Sequence, residues 1–342
     1  MELESFRLAV LNPGGRDPDQ DFPDFAGAPD PKLHAPVNYH GYAAATGGAF
    51  LKSVDSVRTR KISSVLLLLR SELETSLKVL RELKNGGVRV FVSFKESGIH
   101  QVSATLLKSK NGERFREICH EAHGAVSSTR DLVAVYEAVG ARKVEFIPTP
   151  YPLNDPRWNF SQPTSSRQGI FVGTREFDIP SRNHALALLI ALQLGREFSE
   201  TVTVVNDVGR RGRRQIEQIA TACPEAKFKI IEGRRSYPEY LQTMAHHRIV
   251  WQWDQSAVPG QVAGDALLCG IPCVGGNGAM ERLAFPDWCG HGRSLTEARD
   301  IAKRLLSDAA DCADVSAQAL DDARQKLSFE AIRLQLASLF CS

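Results

Sequence analysis

Strand-like and helix-like segments alternate along most of this chain, and the alternation starts twice. In the first run, apolar segments of strand length occur at residues 6–12, 63–70, 88–94, 124–129 and 143–153. Strands that alternate with helices predict a parallel sheet covered by helices on both faces. We therefore expect an N-terminal Rossmann-like α/β domain over residues 1–153.

A polar, proline-containing segment at residues 154–168, NDPRWNFSQPTSSRQ, has the composition of a linker. The alternation then restarts, with strand-like segments at residues 169–175, 201–207, 227–233 and 248–253. From residue 294 onward the chain has the 3.6-residue apolar spacing of helices. The sequence predicts a second Rossmann-like domain over residues 169–325, facing the first across a cleft.

Local signals in the first run give more detailed expectations. The Pro- and Asp-rich residues 16–31 predict a long loop, and residues 37–53 predict a weak helix or two. Ser71, with Glu74 three residues later, predicts a helix start with a capping box, and Gly86 predicts the end of that helix. We expect one further helix around residues 104–122.

Composition excludes several classes of protein. Of the 342 residues, 43% are apolar and 24% charged, which is ordinary for a globular chain, and the net charge of +2 favours neither a nucleic-acid-binding nor a strongly acidic protein. The seven cysteines show no C-x-x-C spacing, so we expect reduced, buried cysteines in a cytoplasmic protein and no metal site. The longest apolar run, VLLLL at 65–69, is too short for a membrane span, and no signal peptide is expected.

Residues 251–283 read as a buried strand, a helix, a short strand and a glycine-rich loop. We expect Pro259 to open this helix, and Gly270, with Pro272 just beyond, to end it. Within the segment, GDALLCGIPCVGGNGAMERL resembles the donor-site segment of retaining, nucleotide-sugar-dependent glycosyltransferases of the GT-B fold. That family has an acidic residue five positions before a Gly-x-Pro and another after the next glycines, which here are Asp265 and Glu281.

The resemblance implies a GT-B fold, with two Rossmann-like domains and a C-terminal helix, residues 326–342, that packs back toward the N-terminal domain. It implies a hexosyltransferase that is metal-independent, needs no cofactor and takes a UDP- or GDP-linked sugar as donor. Its acceptor is a glycan, a lipid-linked sugar, a protein or a small molecule. The chain departs from the family at two positions. Ala257 stands where the family has an upstream glutamate, and the nearest acidic residue there is Asp254. Asp265 stands where the family more often has glutamate.

The resemblance also assigns roles to residues. Asp265 accepts hydrogen bonds from the ribose hydroxyls, Glu281 accepts from hydroxyls of the sugar, and basic residues in FVGTREFDIPSRNHA bind the phosphates. The catalytic candidates are Glu281 and His100, which follows the strand VRVFVSF. The other donor-binding candidates supply close backbone approach, contacts to the base or contacts to phosphate: Gly14, Gly15, Gly173, Arg175, Arg182, Gly233, Arg234, Tyr237, Gly276, Asn277 and Gly278.

Simpler interpretations remain open. Arg175 and Arg182 fit a solvated loop, and Glu281 fits a carboxylate at a helix start; His40 is a weaker candidate than His100. The GRRGRR segment at 209–214 predicts a solvated loop. Alternatively, its positive charge binds an anionic acceptor or makes a peripheral contact with a membrane surface. The tryptophans do not alternate with basic residues, so no nucleic-acid partner is expected. A nucleotide-sugar epimerase and a catalytically degenerate scaffold of the same fold are the alternatives in function.

Overall fold

The structure is a computed structural model that describes residues 6–173 and 179–341. The chain divides into two compact units. Unit 1 comprises Met1–Arg157, Ala257–Pro259 and Lys326–Ser342, and unit 2 comprises Trp158–Ser256 and Gly260–Gln325. The main change of unit therefore falls inside the polar segment 154–168.

Unit 1 is built on a seven-stranded sheet in the order β2-β3-β1-β4-β5-β6-β7, parallel throughout except for β2, which pairs antiparallel with β3. The strands are β1 Ala9–Leu11, β2 Gln20–Asp21, β3 Ala49–Leu51, β4 Ser64–Leu69, β5 Arg89–Phe94, β6 Gly124–Ser127 and β7 Val144–Phe146. The helices are α1 Asn38–Ala45, α2 Val54–Thr59, α3 Leu73–Asn85, α4 Ile99–Leu106, α5 Asn111–Glu121 and α6 Val133–Ala138.

Burial explains why these segments take these forms. Every residue of β4 is buried, as expected for a strand covered by helices on both faces of a parallel sheet. Helix α3 buries Leu73, Leu77, Leu80 and Leu83, whose spacing of three and four residues puts them on one helical face. The core of unit 1 lies between this face and the sheet.

Four local expectations for unit 1 are wrong. The long loop expected over residues 16–31 contains the short strand β2, Gln20–Asp21, which pairs with β3. Residues 37–53 contain not only α1 but also the strand β3, which pairs with β1 in the register Ala9↔Ala49. The helix expected around residues 104–122 is two helices, α4 and α5, because Lys110 between them has a left-handed backbone with φ of 62°. Ser71 does not cap α3, whose N-cap is Glu72; Glu74 pairs instead with Lys78 and Arg114.

Unit 2 is built on a five-stranded parallel sheet in the order β10-β9-β8-β11-β12. Trp251 is fully buried, and its indole N–H donates to the carbonyl of Ala187 at 2.9 Å, which places this side chain in the core of unit 2. The strands are β8 Ile170–Val172, β9 Val202–Asn206, β10 Phe228–Glu232, β11 Ile249–Trp251 and β12 Cys273–Val274. The helices are α7 His184–Phe198, α8 Arg210–Ala220, α9 Tyr237–Ala245, α10 Gln261–Leu268, α11 Ala279–Ala284, α12 Leu295–Ser307 and α13 Ala309–Leu327.

The last helix, α14 Phe329–Cys341, is part of unit 1. The Phe340 ring contacts the rings of Phe6 and Phe91, with centroids 5.7 and 4.3 Å away. A single β-bridge joins Tyr151 to Ser328, the residue that separates α14 from α13. The helical end of the chain is thus anchored in the core of unit 1.

All seven cysteines are free, and six of them are buried, as expected; Cys341, on α14, is exposed. Within residues 6–173 and 179–341, no helix combines the length and the apolar character that crossing a bilayer demands.

Candidate functional site

The carboxyl edge of the sheet in unit 2 gathers most of the candidate residues. From β8 the chain moves to β9 and β10 on one side, and it later returns to β11 and β12 on the other. The order of the strands therefore reverses between β8 and β11, and ligands of open α/β sheets bind outside the strand ends at such a point. Gly173 follows β8, residues 252–254 follow β11, and residues 275–278 follow β12.

Glu281, in the first turn of α11, is a buried carboxyl group at this edge. Its side chain is only 2% exposed, and its Oε1 accepts a hydrogen bond from Nε2 of Gln252 at 2.7 Å. Its Oε2 is also buried and has no hydrogen-bond partner among the described residues. Burial, with a smaller contribution from the nearby charge of Asp254, raises the pKa of Glu281 to about 7.

Two glycines make room for this carboxyl group. Gly260 precedes α10 with φ of +92°, and a Cβ added there would lie 2.0 Å from Oε2 of Glu281. Gly276 has φ of +70°, and its Cβ would lie 3.2 Å from Oε1 of Glu281 and 2.9 Å from Nε2 of Gln252. Both positions thus combine a left-handed backbone with close approach to Glu281, two conditions that only glycine meets.

Asp254 and Arg182 add one negative and one positive group to the same edge. Asp254 is 6% exposed; its Oδ1 accepts from the backbone N–H of Ser256 at 2.8 Å, and its Oδ2 lies 3.8 Å from Nε of Arg182. The backbone N–H of Asn277 donates to the carbonyl of Asp254 at 2.9 Å, which ties the glycine-rich loop to the end of β11. Arg182 ends a 3₁₀ turn before α7, and its side chain is partly exposed.

Asp265, the candidate ribose contact, lies on α10 and is 2% exposed. The hydroxyl of Tyr237 donates a hydrogen bond to its Oδ1. Tyr237 is the first residue of α9, where Ser236 and Glu239 form a capping box. Two candidates that are far apart in the sequence are therefore in direct contact.

Gly173 and the glycine-rich loop are close to these groups, whereas Gly233 and Arg234 lie farther along the sheet. A Cβ on Gly173 would stand 2.4 Å from Cγ1 of Val262, so the end of β8 approaches α10 closely. Gly233 and Arg234 are exposed after β10, which is separated from β8 by β9. Their predicted contact with the base remains a prediction.

Two details of the segment around α10 differ from expectation. The helix begins at Gln261, so Pro259 lies before it rather than in its first turn, and Gly260 takes the N-cap position. Gly270 does follow the end of α10, with φ of +61°. Arg175 lies in residues 174–178, outside the described residues, and its predicted contact with phosphate stays a prediction.

The candidates in unit 1 lie at the carboxyl edge of its own sheet. Gly14, with φ of +73°, and Gly15 follow β1, and a Cβ on Gly15 would stand 2.3 Å from Nδ2 of Asn12. His100 is exposed in the first turn of α4, just beyond β5. Their predicted roles in ligand binding and catalysis remain predictions.

The GRRGRR segment is not a loop. Arg210 to Arg214 form the first turns of α8. Arg213 pairs with Glu232 at 2.7 Å and Glu217 at 3.3 Å. Part of this charge therefore stabilises α8 against the end of β10.

Gln252 and Gly260 are the parts of the site that sequence reasoning missed. The signal for Gln252 was present, because a polar residue directly after a buried parallel strand lies at the ligand-binding edge. Gly260 gave no such signal, since its requirement depends on Glu281, which is distant in sequence.

No protein-family model matches the sequence, and no curated protein matches it. Among solved structures, the chain is similar to the α,α-trehalose 6-phosphate synthase from Burkholderia multivorans, with a TM-score of 0.63 and 10% identity over 97% of this chain and 96% of that one. For the UDP-forming α,α-trehalose-phosphate synthase from Burkholderia xenovorans, the TM-score is 0.61 and the identity 11%, and the match covers 98% of this chain and 99% of that one. For S. aureus TarM, in a structure with UDP, the TM-score is 0.62 and the identity 12%. This match covers 88% of this chain but only 59% of TarM.

Identities this low show the fold alone. The neighbours have the GT-B fold of glycosyltransferases, and the match to the two synthases spans almost the whole of each chain. The expected α/β GT-B fold is confirmed.

Proposed function

We propose that the protein is a glycosyltransferase that moves a hexose from a nucleotide diphosphate sugar to an acceptor hydroxyl. The observation that carries this proposal is the carboxyl group of Glu281, which is buried at the switch point of a GT-B sheet with one oxygen unpartnered among the described residues. A buried acceptor without a partner costs free energy, and a sugar hydroxyl that donates to it recovers that free energy.

The donor sugar is assigned to the space around Glu281 and residues 276–278. A hydroxyl of the sugar donates to Oε2 of Glu281, while Gly276 and Gly278, which have no side chain, let the backbone approach the sugar or the adjoining phosphate. Gln252 holds Oε1 at 2.7 Å and so fixes the direction in which the second oxygen points.

The nucleotide is assigned to Asp265 and its neighbours. Asp265 accepts from ribose hydroxyls, and Tyr237 positions its carboxylate through the hydrogen bond to Oδ1. Gly233 and Arg234 contact the base. We propose uridine as the base, because neighbouring structures are described as UDP-forming or as holding UDP.

The leaving diphosphate is assigned to Arg182 and Arg175, with no metal ion needed on the phosphates. A guanidinium group presents a planar fork of donors that matches two phosphate oxygens. Arg182 lies at the same edge of the sheet as Asp254, with 3.8 Å between its Nε and Oδ2 of that residue. Retention of configuration at the anomeric carbon belongs to this proposal as well.

The acceptor is assigned to unit 1. A cavity of about 310 Å³ opens at the carboxyl ends of β4 and β5, and its lining includes Arg70, Glu96, Gln101 and Lys108. Charged and amide side chains of this kind suit a hydroxyl-rich acceptor. His100 lies next to Gln101 on α4 and is the candidate that contacts the acceptor.

A two-stage experiment tests the proposed function. First, a thermal-shift panel of nucleoside diphosphates and their sugars identifies the donor, because a ligand that binds only the folded state raises Tm. The donor is then incubated with the protein and pooled acceptors, and release of nucleoside diphosphate is followed. We expect release that depends on the acceptor.

Other outcomes overturn the proposal in distinguishable ways. Turnover of the donor to an isomeric nucleotide sugar without any acceptor indicates an epimerase. Nucleotide binding with no turnover across the acceptor pool indicates a binding protein. Absence of any thermal shift with every nucleotide removes the nucleotide-sugar site itself.

A further inference from the structure

Three polar side chains meet in unit 1, outside the residues assigned above. They are Asp17, in the loop after β1, His34, in the loop after β2, and His40, on α1. One potential ligand atom from each residue lies within 4.8 Å of those of the other two. The three residues do not form a sequence motif, so only the fold brings them together.

Two sets of contacts hold the histidines in place. The side-chain amide of Gln20 accepts from the backbone N–H of His34 and donates to its carbonyl, both at 3.1 Å. The ring of His40 stacks on Phe50 of β3, with centroids 3.7 Å apart, and the ring of His34 stacks on the other histidine at 4.6 Å. The cluster is therefore supported by the sheet rather than by a free loop.

His40 provides the observation that points to a ligand. It is 8% exposed, and its Nε2 is buried without a hydrogen-bond partner among the described residues. Buried polar atoms in folded proteins are nearly always satisfied by protein, water or a metal ion. Its ring cannot turn far to find another partner, because it is packed between Phe50 and His34.

Asp17 is the carboxylate available to this cluster. Two nearby aspartates have other partners: Asp21, on β2, accepts two hydrogen bonds from Arg60 at 2.7 and 2.9 Å, and Asp19 accepts one from the hydroxyl of Ser56 at 2.6 Å. Asp17 instead faces His34, with Oδ1 3.2 Å from Nε2. Two ligands of one tetrahedral ion, at bond lengths of about 2.0–2.1 Å, stand about 3.3 Å apart.

We propose that Asp17, His34 and His40 bind one divalent transition-metal ion of the zinc type. Two imidazole nitrogens and one carboxylate oxygen are ligands that Zn²⁺ and its first-row neighbours prefer. The rings of the two histidines are nearly parallel, at 7°, so binding requires a tilt of His34, whose side chain is 37% exposed. Three protein ligands leave a further coordination position for water or a ligand oxygen.

This inference does not depend on glycosyl transfer, and its test measures metal binding directly. Untagged, metal-free protein is titrated with Zn²⁺ by calorimetry, and Co²⁺ is added to a second sample to record the visible absorption of a bound ion. The variants are Asp17→Asn, His34→Gln and His40→Phe, the last of which keeps a ring stacked on Phe50. Asp55→Asn and His246→Gln, at exposed positions outside the cluster, are the matched controls.

We expect one ion per chain. Each of the three variants should bind the ion at least about 100-fold more weakly, since the loss of even an outer-shell partner lowers metal affinity by about 10- to 100-fold. Both controls keep the affinity of the unmodified protein. Circular dichroism and Tm of the metal-free variants show whether they are folded, and the two surface variants, Asp17→Asn and His34→Gln, decide the outcome if His40→Phe is not. The absence of stoichiometric binding, or unchanged affinity in a folded variant, overturns the assignment.

Discussion

Replacing Glu281 with glutamine separates the charge of this buried side chain from its shape. Glutamine has nearly the same size, and its side-chain oxygen still accepts the hydrogen bond that Gln252 gives to Oε1 at 2.7 Å. What the variant lacks is an ionisable group beneath Gly260 and Gly276. The comparison therefore measures the free energy of holding a negative charge at this point of the fold.

The size of the effect follows from the pKa. Burial raises the pKa of Glu281 from 4.5 to about 7, so the folded protein favours the protonated form. The stability that this form contributes is fully present below pH 4.5 and is lost as the pH rises through 7. A pKa shift of one unit corresponds to about 1.4 kcal/mol. The unmodified protein therefore loses about 2–3 kcal/mol of stability relative to Glu281→Gln between pH 5 and pH 8.

Urea unfolding at pH 5 and pH 8 measures this difference. At each pH we compare the free energy of unfolding of the variant with that of the unmodified protein. We expect this difference to shift in favour of the variant by about 2–3 kcal/mol from pH 5 to pH 8. Glu225→Gln, at an exposed position of unit 2, should give the same difference at both pH values. If Glu281→Gln also shifts stability equally at the two pH values, the carboxyl group is not held in its neutral form and the account of its burial is refuted.

Three further predictions concern the neighbouring residues. Asp265→Asn should weaken the binding of UMP and UDP alike by about tenfold or more, because a charge-assisted hydrogen bond is lost; unchanged affinity in calorimetry removes Asp265 from the ribose site. Arg182→Gln should weaken UDP more than UMP, and equal losses contradict a contact with the diphosphate. Gly260→Ala should cost about 1–3 kcal/mol more than Gly292→Ala in urea unfolding, because both have positive φ but only the first would clash with Glu281; equal costs contradict the close approach.

Most strands of the two sheets were predictable because they are apolar runs of strand length, as in β4 and β11. Strand β3 was not, since its three residues follow Gly47 and Gly48 in a segment of small residues. Its pairing depends on a partner far away: a Cβ on Gly48 would stand 2.0 Å from the carbonyl oxygen of Leu8. Tertiary contact, which no local pattern encodes, makes this segment a strand.

The site shows the same division. Asp265 and Glu281 could be predicted as site residues because they lie within one continuous segment that resembles a known family. Gln252, Gly260 and the cluster of Asp17, His34 and His40 are defined by contacts between segments. Their chemistry becomes visible only when the sheets bring those segments together.

The distribution of thiols has a practical consequence. Burial raises the pKa of Cys119 to about 12 and also raises those of Cys269, Cys273 and Cys312, so these groups hold little of the reactive thiolate. Cys341, near the end of α14, is the exposed cysteine of the seven. A maleimide dye added to the native protein therefore attaches at one defined position in unit 1. The chain can be labelled there without an engineered cysteine.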